Sequence, residues 1–582
     1  MIKLFKNLTL RDYILIIISI ILVAFQVWLD LKMPDYMAKI TSLVQTEGSK
    51  MSEILLNGGY MLLCATGSLI SMIIAGYLMA NTAANFSKNV RSKLFNKVID
   101  LDIHDIKTIS TSSLITRTTN DISQIQMLIA MGAQLVIKAP LTAIWAIRKI
   151  LNKSWQWSAL TGIAIIILLT TIVILIILVL PRFKKIQKLT DKINSVTREN
   201  ITGIRVIRAF NAEKYQENKF DNTNTDLTNM QLFNQRALAI MQPVMFLVMY
   251  VLTLSIYFVG AFLINEAQLT DKLNIFSNMI VFSSYAIQVI MSFLMLAFIF
   301  MMLPRAEVSA NRINEVLNTK KSILNGKVNK EIEKGTVEFK NVSFKYPDAE
   351  EYLLKDISFK ANSGETIAFI GSTGSGKSTI VNLIPRFYDA TDGDILVGGI
   401  NVKDYDENYL HEIISYIPQK AILFDGTIKS NIAYGTKKIS NSDIMESLKI
   451  SEADEFVQNM EDKENSHIAS GGTNISGGQK QRLSIARAIA RKPEIYIFDD
   501  SFSALDYKTD KKVRDNLKKY TKDATLLIVA QRIGTIMHAD KILVLDNGKL
   551  VGIGTHKELL KKCDVYKQIA LSQLSKEEIE NA

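Results

Sequence analysis

Cysteine is almost absent from this chain of 582 residues. Its two cysteines, Cys64 and Cys563, lie far apart, the first in an apolar run and the second near the C-terminus. A disulfide framework or a cysteine-based metal cluster needs several cysteines at close spacings. We therefore expect neither.

The basic residues are not gathered into one stripe, although 68 Lys and Arg against 57 Asp and Glu give a net charge of +11. A nucleic-acid-binding protein concentrates basic residues on one face. Cytoplasmic loops of membrane proteins also carry an excess of Lys and Arg. The charge therefore predicts a membrane protein and no nucleic-acid partner.

No cleavable signal peptide is expected either. The first apolar run, from Tyr13, is too long for one, and no small-residue cleavage site follows it. This run is instead a first membrane span, and lipid bilayer is an expected partner of the chain.

Long apolar runs fill residues 1–303, whereas residues 320–582 have the composition of a soluble α/β domain. A helix that crosses about 30 Å of hydrocarbon needs about 20 mostly apolar residues. The third run is the weakest candidate because it contains Lys138 and Pro140. Six spans are predicted, at about 13–33, 55–80, 127–148, 156–180, 238–264 and 273–303.

The connections after spans 2 and 4 are long and basic, at roughly 81–126 and 181–237. The excess of positive charge places these loops and both termini in the cytoplasm. Apolar residues recur in them at three- and four-residue spacing, which predicts helices that continue beyond the membrane. About 25 residues of helix would reach nearly 40 Å.

Charged residues in the membrane half leave two interpretations open. Arg148, Lys149 and Lys153 cluster after span 3, where they either snorkel to the interface or attract an anionic or lipid-like substrate. Lys138 lies within a span, so we expect it to face a cavity or a partner rather than to lie simply at the interface.

Spans 5 and 6 are rich in side chains that adapt to many shapes. They either pack against other helices and lipid or line a cavity for varied hydrophobic compounds. These side chains are Met241, Met245, Met249, Tyr250 and Tyr257 in span 5, and Ser283, Ser284, Tyr285, Gln288, Met291 and Met295 in span 6.

The segment TIAFIGSTGSGKST, residues 366–379, combines a buried strand, a glycine loop and the start of a helix. It fits the phosphate-loop pattern G-x-x-x-x-G-K-[ST]. Backbone N–H groups of such a loop surround phosphates at a helix N-terminus, the lysine reaches the outer phosphates, and the hydroxyl helps to hold Mg²⁺. The predicted nucleotide contacts are Gly371, Ser372, Thr373, Gly374, Ser375, Gly376, Lys377, Ser378 and Thr379.

Two further motifs make the pattern specific. EIYIFDD, residues 494–500, is a second buried strand that ends in Asp499, a carboxylate for Mg²⁺. NISGGQKQRLSIARAIA, residues 474–490, is a glycine turn that opens a helix. Its tetrad resembles the signature motif of ATP-binding-cassette (ABC) proteins, and its members are Ser476, Gly477, Gly478 and Gln479.

Other segments agree with this resemblance. VSFKYP places Tyr346 where the family stacks an aromatic ring on adenine, and YIPQ places Gln419 at the loop that links Mg²⁺ to the membrane domain. SALD resembles the D-loop, which ends in Asp506, and ENITGIRVIRAFNAE, residues 199–213, resembles the second cytoplasmic loop of exporters.

The resemblance covers essentially the whole chain and implies an exporter-type half-transporter. Its expected fold is a six-helix membrane domain with long cytoplasmic helical extensions, fused to a C-terminal α/β phosphate-loop cassette. The expected boundaries are 1–318 for the membrane domain, 319–334 for a linker and 335–582 for the cassette. The richness in Lys, Ile and Asn is typical of AT-rich bacterial genomes, so the plasma membrane of a bacterium is the expected location.

The family also implies a dimer, because each ATP lies between the phosphate loop of one cassette and the signature motif of the other. ATP and Mg²⁺ are the expected cofactors, with Ser378, Gln419 and Asp499 on the metal side. The coupling helices are expected near residues 103–110 and 211–215.

Two residues depart from the family pattern. Asp500 occupies the position of the Glu that orients the attacking water, and its carboxylate is shorter by about 1–1.5 Å. Gln531 occupies the switch position of a His and cannot carry a positive charge or shuttle a proton. Milder differences are Ser470, where an acidic residue is frequent, and Ile475 in place of Leu.

These departures predict a cassette that binds ATP and Mg²⁺ but hydrolyses ATP slowly, with Asp500 and Gln531 as its weakened catalytic residues. The preferred interpretation is the degenerate-site subunit of a heterodimeric bacterial multidrug exporter, whose partner carries Glu and His at the matching positions. The substrate class is drugs, lipids or hydrophobic peptides. Two alternatives are a homodimeric exporter with weakened ATPase activity and an ATP-gated regulator that transports nothing.

Overall fold

A computed structural model describes the chain except residues 1, 47, 152–153, 269–270, 436–438 and 575–582. The chain forms two compact units. The first comprises Met1–Ile99 and Thr111–Thr319, and the second comprises Asp100–Ser110 and Lys320–Ala582. The short segment at residues 100–110 therefore packs with the C-terminal part of the chain.

The first unit is entirely helical in its described part. Its second helix begins with a capping box, in which Thr9 accepts from the backbone N–H of Asp12 and the Asp12 side chain accepts from that of Thr9. Two single π-helical turns interrupt the third long segment. The helices are α1 (Ile2–Phe5), α2 (Leu10–Gln45), α3 (Met51–Asp100), α5 (Thr111–Thr116), α6 (Ile122–Met127), α7 (Ala133–Leu151), α8 (Trp155–Thr202), α9 (Ile204–Ala209), α10 (Glu213–Glu266) and α11 (Lys272–Asn318).

Six helical segments of the described chain are long and apolar enough to cross a membrane. Five of them contain a predicted span, including the weak third one in the segment Thr111–Leu151, and the sixth, Lys272–Ile299, covers all but the last four residues of the span predicted at 273–303. Helix α10 has 54 residues, more than twice the roughly 20 that span a bilayer. The prediction of helices that continue beyond the membrane is thus confirmed.

The second unit is an α/β domain built on two sheets. The larger has the order β12-β11-β3-β10-β9-β6 and is parallel except for β12. The smaller is antiparallel, with the order β2-β1-β4-β5, and β7 pairs with β8 separately. The strands are β1 (Val337–Phe344), β2 (Leu354–Ala361), β3 (Thr366–Gly371), β4 (Asp392–Val397), β5 (Ile400–Asn401), β6 (Ile414–Ile417), β7 (Gly426–Thr427), β8 (His467–Ile468), β9 (Ile495–Asp499), β10 (Thr525–Val529), β11 (Lys541–Asp546) and β12 (Lys549–Gly554).

Helices cover both faces of the larger sheet. Strands β9 and β10 are buried along their whole length, as expected for the centre of a parallel sheet. The helices of this unit are α4 (Ile103–Ile109), α12 (Lys377–Leu383), α13 (Glu407–Ile413), α14 (Ile428–Ile432), α15 (Asn441–Ile450), α16 (Asp454–Gln458), α17 (Gly477–Ala490), α18 (Tyr507–Tyr520), α19 (Ile533–Ile536), α20 (His556–Lys562) and α21 (Asp564–Gln573).

Three apolar cores support the described part of this unit. Two of them lie on opposite faces of β3, since Phe369 belongs to one and Ile370 to the other. The third core lies under α14, α15 and α17 and includes Ile432, Leu448 and Leu483. The first two cores position the loops that follow the parallel strands, and the third positions the start of α17.

Candidate nucleotide-binding site

The order of the parallel strands assembles the candidate site. Val529 pairs with both Asp499 and Phe369, and Ile417 pairs with Phe498, so β3, β6, β9 and β10 end at the same edge of the sheet. Ligands of open α/β sheets bind beyond the carboxyl ends of the strands. The predicted Gly371 ends β3, and the predicted Gln419, Asp500 and Gln531 follow β6, β9 and β10.

The loop between β3 and α12 is shaped to enclose phosphates. A Cβ atom at Gly371 would lie 2.0 Å from the Leu545 carbonyl oxygen, and Gly376 has a φ of 95°, so both positions require glycine. The Ser375 hydroxyl is buried and has no hydrogen-bond partner among the described residues. This unpaired hydroxyl and the glycine turn fit a bound phosphate chain.

Lys377 begins α12 and is the buried cation of this loop. Its ammonium donates to the carbonyls of Gly371 and Ser372, at 2.9 and 2.7 Å. Burial lowers the pKa of Lys377, whereas the charges of Asp500 and Asp499 oppose that shift. The remaining loop residues, Thr373 and Gly374, are exposed, so the loop is open on one side.

Two of the predicted Mg²⁺ ligands, Ser378 and Asp499, are hydrogen-bonded to each other. The Ser378 hydroxyl donates to Asp499 Oδ1 at 2.7 Å, and the Tyr416 hydroxyl donates to Asp499 Oδ2 at 2.9 Å. A hydroxyl and one carboxylate, completed by phosphate oxygens and water, are a ligand set that suits Mg²⁺. Gln419, the third predicted metal residue, contacts Asp500 instead.

Asp500 accepts two amide hydrogen bonds on one oxygen. Gln419 Nε2 and Gln531 Nε2 both donate to Asp500 Oδ2, at 3.0 and 2.9 Å. Burial raises the pKa of the Asp500 carboxyl, and the charge of Asp499 acts in the same direction, whereas the two amide donors oppose it. The two predicted departures from the family pattern thus lie in direct contact.

The aromatic residue of the candidate site belongs to a small cluster. Tyr346 shares a hydrogen bond with the Thr379 hydroxyl, at 3.1 Å, and its ring meets that of Tyr388 edge-on, with centroids 5.3 Å apart. Lys107 of α4 donates to the Tyr388 hydroxyl at 3.2 Å. A chain of contacts therefore leads from α4 to the phosphate-loop helix.

The predicted signature residues form a helix start of their own. Ser476 caps α17, where its hydroxyl accepts from the Gln479 N–H at 3.3 Å and Gln479 Oε1 accepts from the Ser476 N–H at 2.9 Å. Gly477 and Gly478 form the first turn. Asp506 caps α18 through the Thr509 N–H, at 3.0 Å. These side chains bond within their own caps rather than to the phosphate loop.

The first unit contains a cavity of about 420 Å³ between helices α7, α10 and α11. All five predicted methionines line it, whereas the predicted Tyr250, Tyr257, Ser283, Ser284, Tyr285 and Gln288 are not part of this lining. The lining consists of Leu135, Leu238, Met241, Gln242, Met245, Phe246, Met249, Ile290, Met291, Leu294, Met295 and Phe298.

Two cations of α7 pair with aspartates of α2. Lys138 Nζ lies 3.4 Å from Asp30 Oδ2, and Lys149 Nζ lies 2.7 Å from Asp35 Oδ2. Lys138 was expected to face a cavity or a partner, and Asp30 is that partner. Lys153, predicted to join this basic cluster, lies outside the described residues.

Sequence reasoning missed four residues of these networks. Tyr416 contacts Asp499, and Tyr388 contacts Tyr346. In each pair the two residues are separated by tens of positions in the sequence, so no local pattern predicts the contact. Asp30 and Asp35 were detectable, because carboxylates in an apolar helix are rare and mark functional or paired positions.

Comparison with known proteins supports both units. Residues 16–293 match the ABC transporter transmembrane region, and residues 354–503 match the ABC transporter family. The fold is similar to that of a bacterial Atm1-family ABC exporter solved with ATP bound, with a TM-score of 0.83 and 21% identity over 96% of this chain and 98% of that one.

Curated relatives extend over most of the sequence. An uncharacterised ABC transporter ATP-binding protein of Mycobacterium bovis is 38% identical over 88% of this chain and 87% of its own length. One of Bacillus subtilis is 33% identical over 96% of each chain. An ATP-dependent lipid A-core flippase of Pseudomonas aeruginosa is 31% identical over 87% of this chain and 83% of its own length.

Membrane-spanning helices and an ATP-binding domain are thus joined in one chain, in the arrangement of exporter half-transporters. The protein is a multi-pass membrane protein that belongs to the ABC transporter family and has the exporter fold.

Proposed function

We propose that this chain is the degenerate-site subunit of a heterodimeric ATP-driven exporter. It binds ATP and Mg²⁺ at its own phosphate loop, hydrolyses this ATP slowly, and supplies its signature motif to the partner's catalytic site. The observation that carries the proposal is the pair of amide hydrogen bonds to Asp500 Oδ2.

A carboxylate that activates water needs a free acceptor within hydrogen-bond reach of that water. One carboxylate oxygen has about two acceptor sites, and Gln419 and Gln531 use both on Asp500 Oδ2, which leaves only Oδ1 to accept from water. The Asp side chain is also shorter than Glu by about 1–1.5 Å, and a misplacement of about 1 Å costs up to about a hundredfold in rate. Slow hydrolysis at this half-site follows.

Nucleotide binding does not depend on these two residues. The glycine loop, the buried Lys377 and the unpaired Ser375 hydroxyl would hold the phosphates, and Tyr346 would stack on the adenine. Ser378 and Asp499 would hold Mg²⁺, with Gln419 beside them. When bound, Mg²⁺ neutralises phosphate charge.

The cap geometry of α17 supports an intact signature motif. The α17 N-terminus, with Ser476 and the two glycines, presents backbone N–H groups of the kind that bind phosphate. We therefore expect a partner half-transporter with Glu and His at the positions of Asp500 and Gln531. Gln479 and Asp506 would lie on the same face of the dimer interface.

The proposed substrates are hydrophobic or amphipathic compounds, such as drugs, lipids or peptides. The cavity of about 420 Å³ supports this proposal because its five methionines adapt to different shapes. The similarity to a lipid A-core flippase favours lipids within this class.

The proposed orientation places both termini and the ATP-binding domain in the cytoplasm of a bacterium, with boundaries at 1–318, 319–334 and 335–582. Helix α4 and residues 211–215 would be the coupling elements. For α4, the hydrogen bond from Lys107 to Tyr388 supports this assignment.

The first test measures ATPase activity of the chain alone, of the chain with its partner, and of the pair carrying Asp500→Glu with Gln531→His. We expect no significant ATPase activity from the chain alone, and ATPase activity from the pair both before and after the double substitution. Vigorous ATPase activity and transport by the chain alone would overturn the proposal and support a homodimer. A pair whose ATPase does not respond to any transported compound would indicate a regulator.

A further inference from the structure

Two neighbouring helices of the first unit repeat one pattern at the same end of the bundle. On α2, Lys32 follows Trp28 by four residues and lies over its ring, with Nζ 5.6 Å from the centroid. On α7, Trp145 is followed by Arg148 and Lys149. Residues three or four apart lie on the same face of a helix, so each helix presents a Trp next to a cation.

These residues enclose a pocket of about 340 Å³ between the two helices. It is lined by Trp28, Leu31, Lys32, Trp145, Arg148 and Lys149.

The pocket carries an excess of positive charge. Lys149 pairs with Asp35 at 2.7 Å, and Lys32 acts on the same carboxylate only through its charge. Among the described residues, Arg148 has no carboxylate within salt-bridge distance. Three cations thus face one carboxylate, which leaves a net charge of +2 for a ligand to balance.

An apolar strip leads away from the pocket along α2. Ile21, Phe25 and Trp28 follow each other at helical spacing and are 62%, 48% and 47% exposed. The rings of Phe25 and Trp28 stack with centroids 5.9 Å apart, and Ile144 of α7 is also 62% exposed. Exposed apolar side chains on a membrane-spanning helix are available to lipid tails.

We propose that this pocket binds the headgroup of an anionic phospholipid, whose acyl chains lie along the strip of Ile21, Phe25 and Trp28. The cations balance the phosphate charge, and the two Trp rings hold the glycerol region at the membrane interface, where Trp is favoured. Basic pockets between membrane helices bind such headgroups at the cytoplasmic face, and the same balance of charge applies at this end of the helices. In the orientation proposed above, this lipid belongs to the outer leaflet.

Single side chains that only anchor the helices at the interface would not form a shared pocket. An anchor needs only one aromatic or basic side chain that reaches the headgroup region. Here the cations of two helices converge on a shared pocket, and the Lys149–Asp35 pair fixes one wall. A defined site with lipid selectivity therefore follows from the geometry.

The test uses the full-length chain in detergent micelles and native mass spectrometry. Dioctanoyl phosphatidylglycerol, dioctanoyl phosphatidylcholine and inorganic phosphate are titrated separately. We expect phosphatidylglycerol to bind at least about tenfold more tightly than phosphatidylcholine, and inorganic phosphate not to compete. Equal binding of the two lipids, or competition by phosphate at matched concentrations, overturns the proposal.

The variant Lys32→Gln with Arg148→Gln removes two pocket charges. We expect phosphatidylglycerol to bind about thirtyfold more weakly, which corresponds to about 2 kcal/mol for two charges near an anionic lipid. The matched control, Lys39→Gln with Lys50→Gln, removes two charges from the end of α2 and the loop after it, outside the pocket. An equal loss of phosphatidylglycerol binding in both double variants would show that the effect comes from general surface charge, which would overturn the proposed site.

Two further variants keep the test independent of folding. Arg148 is exposed, so Arg148→Gln alone is expected to fold and to weaken the binding of phosphatidylglycerol by about fivefold. Exchange of the two cations, Lys32→Arg with Arg148→Lys, is expected to retain binding. Undiminished binding in Arg148→Gln contradicts the proposal even if the double variant is unstable.

Discussion

The side-chain amide of Gln531 donates to Asp500 Oδ2 at 2.9 Å, so the two residues that depart from the family pattern are hydrogen-bonded to each other. An amide in the switch position serves as a fixed donor, whereas a His ring there could also accept a proton. The contact therefore holds the short carboxylate in place and removes one acceptor site from it.

The first prediction concerns single substitutions at this contact. Asp500→Glu extends the carboxylate by about 1–1.5 Å, and we expect hydrolysis at this half-site to rise by about ten- to a hundredfold. Gln531→His alone should change the rate by less than about threefold, because the carboxylate stays short. Single-turnover hydrolysis in a dimer whose partner site is inactivated at its own Glu isolates the half-site. A rate unchanged by Asp500→Glu would show that carboxylate length does not limit it.

Local patterns predicted most of the fold. The spans were predictable because about 20 apolar residues in a row have few other uses, and the phosphate loop because its glycines and Lys377 are contiguous. The contacts of Asp500 could not be predicted from local patterns. Gln419, Asp500 and Gln531 follow three different strands and meet only because the strand order is β10-β9-β6. The aspartate partners of Lys138 and Lys149 likewise depend on which helices are neighbours.

A second prediction concerns the pH dependence of the ATP-binding unit. Burial raises the pKa of Glu331 to about 7, and the neighbouring Glu494 acts in the same direction. Lys334, 3.1 Å from Glu494 Oε1, partly opposes this shift, and Tyr405 and Tyr409 are the other titratable groups nearby. Between about pH 4.5 and 7 the folded state keeps a proton that the unfolded chain has released.

The stability that Glu331 contributes to this unit should therefore be fully present below about pH 4.5 and be lost as the pH rises to about 7. Glu331→Gln should flatten that slope, as measured by the thermal unfolding midpoint between pH 5 and 8. The exposed Glu333, which pairs with Lys360 at 3.4 Å, provides the control Glu333→Gln. An identical pH slope in wild type and Glu331→Gln would contradict the assignment.

A third prediction concerns Tyr388, which contacts both Lys107 of α4 and the ring of Tyr346. Tyr388→Phe keeps the ring contact and removes the hydroxyl that accepts from Lys107. A partly exposed charged hydrogen bond is worth about 1 kcal/mol, so substrate-stimulated ATPase of the pair should fall by about fivefold. Nucleotide affinity should stay within about twofold of wild type, because the edge-on packing against Tyr346 remains.

Tyr388→Ala serves as the comparison, since it also removes the ring and should weaken the binding of a fluorescent ATP analogue. Lys107→Arg keeps a donor and should retain most of the stimulation. If Tyr388→Phe lowers nucleotide affinity and ATPase activity together, the hydroxyl supports the nucleotide site itself rather than its link to α4.

A fourth prediction concerns the pair Asp30–Lys138, whose charged atoms lie 3.4 Å apart between two membrane-spanning helices. Asp30 Oδ1 also accepts from the Ser68 hydroxyl at 2.5 Å, so three helices meet at this carboxylate. Lys138→Met leaves Asp30 without its cation, and an uncompensated charge within a span costs about 3 kcal/mol. Lys138→Met with Asp30→Leu removes both charges and should recover most of that loss.

A double-mutant cycle on the thermal unfolding of the full-length chain measures this coupling. We expect a coupling energy of about 1–3 kcal/mol, because each single variant leaves an unpaired charge in an apolar environment. The exposed pair Lys214–Glu217, 3.5 Å apart and 84% and 62% exposed at its side chains, is the control and should give at most about 0.5 kcal/mol. Additive losses at Asp30 and Lys138 would mean that the two charges are solvated independently, and Lys138 would then face water rather than its aspartate.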